Sequence, residues 1–248
     1  MTPLLVGAAA AVTIGAGLQS ATGFGFALVA APLLFAALGP QQAIGTLLVL
    51  SVEASLLIIA GERRRPRPLG RDSAVIVAAS LPGAIVGVAV LRSLDAATLQ
   101  YTVTLGVIGA LIVRWLSSRR SLRRRRSWWS APAAGLAAGA LTTATNTSGP
   151  PLLLHLTGRG TEPTRVRDTI STCYVGLSLV SAAALWITHT SGAIPDPAAL
   201  AALIPLVALG HLAGRPLFSR LAGGSHYETS LTVILVIAVA TGLVTTVL

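Results

Sequence analysis

Residues 17–34, GLQSATGFGFALVAAPLL, and residues 139–154, GALTTATNTSGPPLLL, decide how this chain folds. Each starts as a small-residue apolar stretch suited to a buried helix. Each is then broken by polar and flexible residues: Gln19, Ser20, Thr22, Gly23 and Gly25 in the first, and Thr142, Thr143, Thr145, Asn146, Thr147, Ser148 and Gly149 in the second. Glycine weakens a helix, and Pro150 and Pro151 have no amide hydrogen to lose. Such sequence suits a tip between two helices. At membrane depth a tip is tolerated only where protein or a watery cavity satisfies its backbone.

The membrane setting follows from composition. Of 248 residues 53% are hydrophobic and 10% charged, against about 25% charged in a soluble domain. Uncharged stretches at 73–91, 96–113, 169–188, 197–214 and 229–248 each have about the length needed to cross a ~30 Å hydrocarbon core. The net charge of +10 comes from 18 basic residues, all arginine. They cluster at 63–71, 114–126 and 159–167, as cytoplasmic loops require. No basic face is interleaved with aromatics, which argues against nucleic acid as a partner. The single cysteine, Cys173, lies in an apolar stretch, so neither a disulfide framework nor a Cys-based metal site is expected. The start of the chain lacks a basic n-region and is not read as a signal peptide.

Pro82, Gly87 and Arg92 recur as Pro205, Gly210 and Arg215, 123 residues on, and each set follows one of the broken segments. The chain reads as a duplication. The arginine bias puts 61–71, 114–127, 158–167 and 215–228 inside and 38–42, 92–97 and 189–197 outside. Residues 128–157 then start and end inside, too short for two full crossings, and are expected to form a re-entrant hairpin. Residues 1–38 are the equivalent hairpin from the outside. Each half adds three spanning helices, at about 41–60, 73–91 and 97–116, and about 168–188, 198–214 and 228–247. The expected architecture is an all-α integral membrane protein of two inverted repeats, 1–117 and 128–248, joined by an Arg-rich cytoplasmic linker, 118–127. The alternative makes 3–38 and 129–157 single kinked helices, giving eight crossings and parallel halves, and leaves the arginines of 158–167 outside.

If both tips reach the midplane, the helices after them start there, with free amide hydrogens and positive dipole ends facing one cavity. Gln19, Ser20, Thr22, Gly23, Phe24 and Gly25 from one tip, and Thr145, Asn146, Thr147, Ser148 and Gly149 from the other, are the candidate substrate-binding residues. This chemistry suits a small anion and buries no cationic side chain. The alternative is that these small residues only permit close helix packing, as expected for Gly83, Gly87, Gly210 and Gly214. Glu53 is the acidic residue well inside a spanning segment, a site for a coupling proton or a protonated, hydrogen-bonded group. Arg92 and Arg215 fall at helix ends, where they snorkel to the interface or act electrostatically at each mouth. His155 and His211 lie near segment ends and His189 and His226 in loops, with no metal-ligand spacing. Gly23 and Gly25 lack the third glycine and preceding strand of a nucleotide loop. The acidic residues are scattered, so the cluster a lipid-modifying enzyme needs is missing and no catalytic residue is assigned.

The two opening runs, with the later Gly and Arg pair of each half, resemble the sulfite exporter TauE/SafE family of membrane transporters across essentially the whole chain. The resemblance implies a transporter of sulfur-containing anions or small organic acids in the bacterial inner membrane, generally exporting sulfite or sulfonates, without a bound cofactor. Its partners would be the anion, the bilayer and a coupling proton or sodium ion. Many members carry denser glycine clusters, whereas here Phe24 and Phe26 interrupt the first and Asn146 to Pro151 replace the second, so substrate identity does not carry over. A non-transporting scaffold would lack a cavity at the tips. The inverted topology predicts that a cysteine placed at Ser191 reacts with an impermeant maleimide only from outside, and one at Ser118 only from inside. Labelling of both from one side defeats it.

Overall fold

A computed structural model describes residues 3–61, 65–95, 98, 101, 129–157 and 161–222. The expected helices at 97–116 and 228–247 and the linker 118–127 lie outside the described residues. What is described is helical apart from short connections: α1 (Pro3–Thr22), α2 (Phe26–Leu38), α3 (Pro40–Gly61), α4 (Gly70–Ser93), α5 (Ser130–Thr145), α6 (Gly149–Thr157), α7 (Pro163–Ile187) and α8 (Pro197–Ala222), with a 3-10 turn at Ser191–Ala193. Five helices are long and apolar enough to cross a membrane: α1, α3, α4, α7 and α8. Large apolar side chains stand on the outer faces, among them Trp186 at 82% and Ile85 at 63% exposure, as helices facing lipid require.

The duplication is visible in the element boundaries. α1 ends at Thr22 and α5 at Thr145; α2 starts at Phe26 and α6 at Gly149; α3 starts at Pro40 and α7 at Pro163. Every pair is 123 residues apart. The first broken segment is a hairpin rather than a kinked helix. Gly15 abuts the Phe26 carbonyl and Gly7 faces Leu33, so the arms run antiparallel. α6 also folds against α5. With 13 residues in α2 and 9 in α6, these arms rise about 20 and 14 Å, short of the ~30 Å hydrocarbon core.

The halves are inverted. The start of α3 meets the far end of α7, where Gly45 faces the Ala193 carbonyl. The chain leaving α3 lies on the start of α7: the Arg67 amide donates to Asp168 Oδ2 at 2.8 Å and the Leu69 amide to Thr169 Oγ1 at 3.0 Å. Equivalent helices therefore run in opposite directions.

Two helix starts and ends differ from expectation. α7 begins at Pro163, not near 168, so Arg165 and Arg167 belong to its first turns rather than to a loop. Proline at the start of a helix is the reason, its fixed φ suiting the first turn. α8 runs to Ala222, so Arg215 lies within the helix rather than at its end, Pro216 notwithstanding.

Among the described residues the most extensive helix contacts cross between halves: α4 on α5, and α8 on α1. Both are glycine-lined. Gly83 and Gly87 of α4 and Gly135 and Gly139 of α5 lie against the opposing backbone, and Gly210 and Gly214 of α8 do the same against Thr13 and Gly17 of α1. A Cβ at Gly139 would stand 2.8 Å from Ser80 Cα. Overpacking of this kind costs about 1–3 kcal/mol. Gly139→Val is expected to lower the unfolding temperature of the detergent-solubilised protein, whereas Gly70→Ala, where a Cβ meets nothing within 4 Å, leaves it unchanged.

Candidate functional site

The two tips meet inside the bundle. Gly23 and Gly25 hold φ of 90° and 105°, a left-handed backbone that glycine adopts without strain. The Thr22 hydroxyl lies 2.8 Å from the carbonyl oxygens of both Leu18 and Phe24, closing the turn on itself. This geometry drives Phe24, which is fully buried, toward the second tip. There a Cβ on Gly149 would sit 3.0 Å from both the Phe24 ring and the Tyr174 hydroxyl. Asn146 ends α5 with φ 57°, a conformation asparagine tolerates better than most residues.

α3 ties both tips down. Asn146 Nδ2 donates to Ser51 Oγ at 2.6 Å and to the Leu47 carbonyl at 3.1 Å. Gln19 Nε2 donates to Ser55 Oγ at 3.1 Å. Leu47, Ser51 and Ser55 are four residues apart and share one helical face. A cavity of about 10 Å³ lies between the tips, lined by Gln19, Phe24, Gly25, Ser51, Asn146, Thr147, Gly149 and Tyr174 among others. That is the scale of one water molecule. The structure thus holds the site closed.

Of the other candidate residues, Ser20, Thr22, Thr145 and Ser148 are buried beside the cavity without lining it. Thr145 and Thr147 pair hydroxyl to hydroxyl at 2.7 Å. Ser148 Oγ and Gln19 Oε1 are buried with no hydrogen-bond partner among the described residues. Glu53 is two residues from both Ser51 and Ser55, which turns it to another face of α3, and its Oε2 is also buried without a partner among them. Arg92 stands at the opposite end of the bundle from Arg67, donating to the Thr188 carbonyl at 3.4 Å and lining a cavity of about 330 Å³ with Gln41 and Gln42. Arg215 is exposed on α8. Neither arginine lines the tip cavity.

Sequence reasoning missed five residues. Ser51 and Tyr174 are 123 apart, so the repeat itself marks them as equivalent positions flanking the site. Ser55 follows Ser51 by one turn. His211, expected near a segment end, is buried in α8 with Nδ1 2.6 Å from Ser20 Oγ. Arg167, expected in a cytoplasmic loop, is 1% exposed, and Gly23 packs on its side chain. The expectation that no cationic side chain is buried beside the tips is therefore corrected. Pro163, as a helix start, was the available signal for Arg167; nothing in the sequence pointed to His211. Among the described residues no group of three or more His, Cys, Asp or Glu could hold a metal ion.

An all-helical, multi-pass bundle with inverted halves and paired breaks meeting at one internal cavity has the architecture of a membrane transporter. The chain belongs to the sulfite exporter TauE/SafE family, whose sequence model matches residues 7–242. No curated protein and no solved structure matches the chain.

Asn146 joins the second tip to α3 through buried hydrogen bonds, and leaving such partners unsatisfied costs about 1–3 kcal/mol. Asn146→Ala is expected to destabilise the solubilised protein by that amount. Adding Ser51→Ala should cost less than its effect alone, since the two share a bond. Strict additivity in the double-mutant cycle refutes the pairing.

Proposed function

We propose that the protein is a secondary transporter that moves a small anion, a sulfur-containing oxyanion or organosulfonate, out across the bacterial inner membrane. The observation that carries this reading is the meeting of the two helix breaks at one buried polar cavity. The donors available there are neutral: hydroxyls of Ser51, Thr147 and Tyr174, the Asn146 amide and backbone amides after each break. Neutral donors aimed from fixed backbone are how helix termini hold oxyanions. Ser148, whose hydroxyl has no hydrogen-bond partner among the described residues, supplies a further donor once the cavity widens. Widening is required, because a cavity on the scale of one water excludes sulfite. Transport on this reading alternates the opening of the tips toward each face, and Glu53, an ionisable group inside α3, carries the coupling proton.

The test is flux of sulfite, thiosulfate, short sulfonates and short carboxylates in proteoliposomes. Asn146→Ala and Gly23→Leu, the latter forcing a side chain onto a φ of 90° against Arg167, are each expected to lower flux about tenfold or more. Preference for carboxylates over sulfur oxyanions replaces the substrate class. Flux of every anion absent, or untouched by both substitutions, overturns the reading.

A further inference from the structure

We propose that the arginine-rich end of the bundle carries a second anion site, a vestibule from which the tip cavity is loaded, with Arg167 as the residue standing between the two. The inference rests on the transport reading above and adds to it a side, a route and a selectivity element.

An open concavity of about 790 Å³ is lined by Arg65, Arg67, Glu162, Thr164 and Arg165. Among the described residues, three arginines and one carboxylate line it. Glu162 also accepts from the Thr164 hydroxyl at 2.7 Å, which turns part of its capacity inward. The wall is braced rather than loose: Arg165 Nε donates to the Arg67 carbonyl at 3.4 Å, and the Arg67 amide to buried Asp168. Guanidinium groups offer planar paired donors that match the oxygens of a small oxyanion.

Two residues further along α7, on the turned-in side, is Arg167. It is the largest fully buried side chain among the described residues, and its Cα, Cβ and Cγ lie within 3.3 Å of where a Gly23 Cβ would stand. Ser20 of the same arm has its Oγ 2.6 Å from Nδ1 of buried His211. Basic groups are thus stepped from the exposed vestibule to the first tip. Burying arginine within a membrane bundle is costly, so a packing role alone would be better served by an apolar residue. The repeat supplies that comparison: the position 123 residues earlier is Ile44, also fully buried. The opposite mouth has Arg92 but no buried cation at that equivalent place. The charge ladder therefore belongs to one face, the one the arginine bias assigns to the cytoplasm. That arrangement raises the local anion concentration on the loading side of an exporter.

The ligand chemistry, a small oxyanion, is shared with lipid headgroup phosphate, and the experiment separates the two. Sulfite flux is measured in inside-out and right-side-out membrane vesicles. A unit charge about 7 Å away in water changes affinity roughly threefold. Arg65→Gln/Arg67→Gln/Arg165→Gln is accordingly expected to raise KM at the cytoplasmic face about ten- to thirtyfold, to leave maximal rate and the outer-face KM unchanged, and to weaken the salt dependence. Arg167→Gln should cut flux about tenfold or more from either face, with Arg167→Lys retaining more. Should Arg167→Gln fail to fold, the triple variant, on exposed residues, still decides. Fusing the vesicles with excess neutral phosphatidylcholine keeps the KM shift if a free anion is the ligand; its disappearance there overturns the proposal in favour of lipid phosphate. An unchanged cytoplasmic KM, or an equal rise at both faces, also overturns it. Flux that falls in Asn146→Ala but ignores the triple variant sinks the vestibule and leaves the transport reading standing, whereas no flux in the wild type sinks both.

Discussion

A helix broken inside a bilayer leaves backbone and side-chain polar groups that lipid cannot satisfy, and everything else here follows from how two such breaks satisfy one another. Neither tip is stable alone at that depth. The second is held by Asn146 on Ser51 and Leu47, the first by Gln19 on Ser55. A single polar stripe on α3 thereby serves both tips. Hydrogen bonds of this kind in membranes average about 0.6 kcal/mol and reach about 1.7. Bonds that weak hold a tip in place without locking it.

Inversion brings the two breaks together from opposite faces. A hairpin from one face and its repeat from the other bring two tips into the interior from opposite sides. Parallel halves would set both on the same side. The antiparallel run of α3 and α7 is the direct structural trace of that inversion, with Gly45 at the Ala193 carbonyl at one end and Leu69 at Thr169 at the other.

Much of this was legible in the residues, and the reasons are specific. Thr22 to Gly25 and Asn146 to Gly149 combine residue types that interrupt helices, and the break positions fell where they stand. Composition fixed the membrane setting because a chain with 10% charge cannot clothe a soluble surface. Illegible were residues whose role depends on which helices become neighbours. Ser51 and Ser55 are ordinary small residues until two tips are laid against them. His211 acquires its meaning from Ser20, 191 residues away in sequence. Arg167 reads as loop because it follows a basic run, and only Pro163, as a helix start, marks it as helical.

The packing also constrains how the site can open. One apolar core gathers α1, α2 and α3 with Leu203 and Val207 of α8, Val88 and Leu91 of α4 and Leu185 of α7; the other gathers α5, α6 and α7 with Ile76 of α4, and takes in Phe24 and Leu28 from the first hairpin. Each core therefore joins a hairpin and third helix of one half to the fourth helix of the other, while α4 and α7 reach into both. The glycine contacts of α4 on α5 and α8 on α1 seal that exchange with backbone-to-backbone approach, which close packing makes stiff. A motion dividing the chain at its sequence midpoint would tear both glycine seams at once. A division between α1, α2, α3 and α8 on one side and α4, α5, α6 and α7 on the other preserves them, and crosses the contacts of α3 with α7, α5 and α4, the packing of Val88, Leu91 and Leu185 on the first core, and the Phe24 insertion. The groups that slide in that case are the ones that close the cavity: Phe24 against Gly149 and Tyr174, and Asn146 against Ser51. The packed units are then exchanged bundles rather than the repeats themselves, and the cavity between the tips lies on the seam between them.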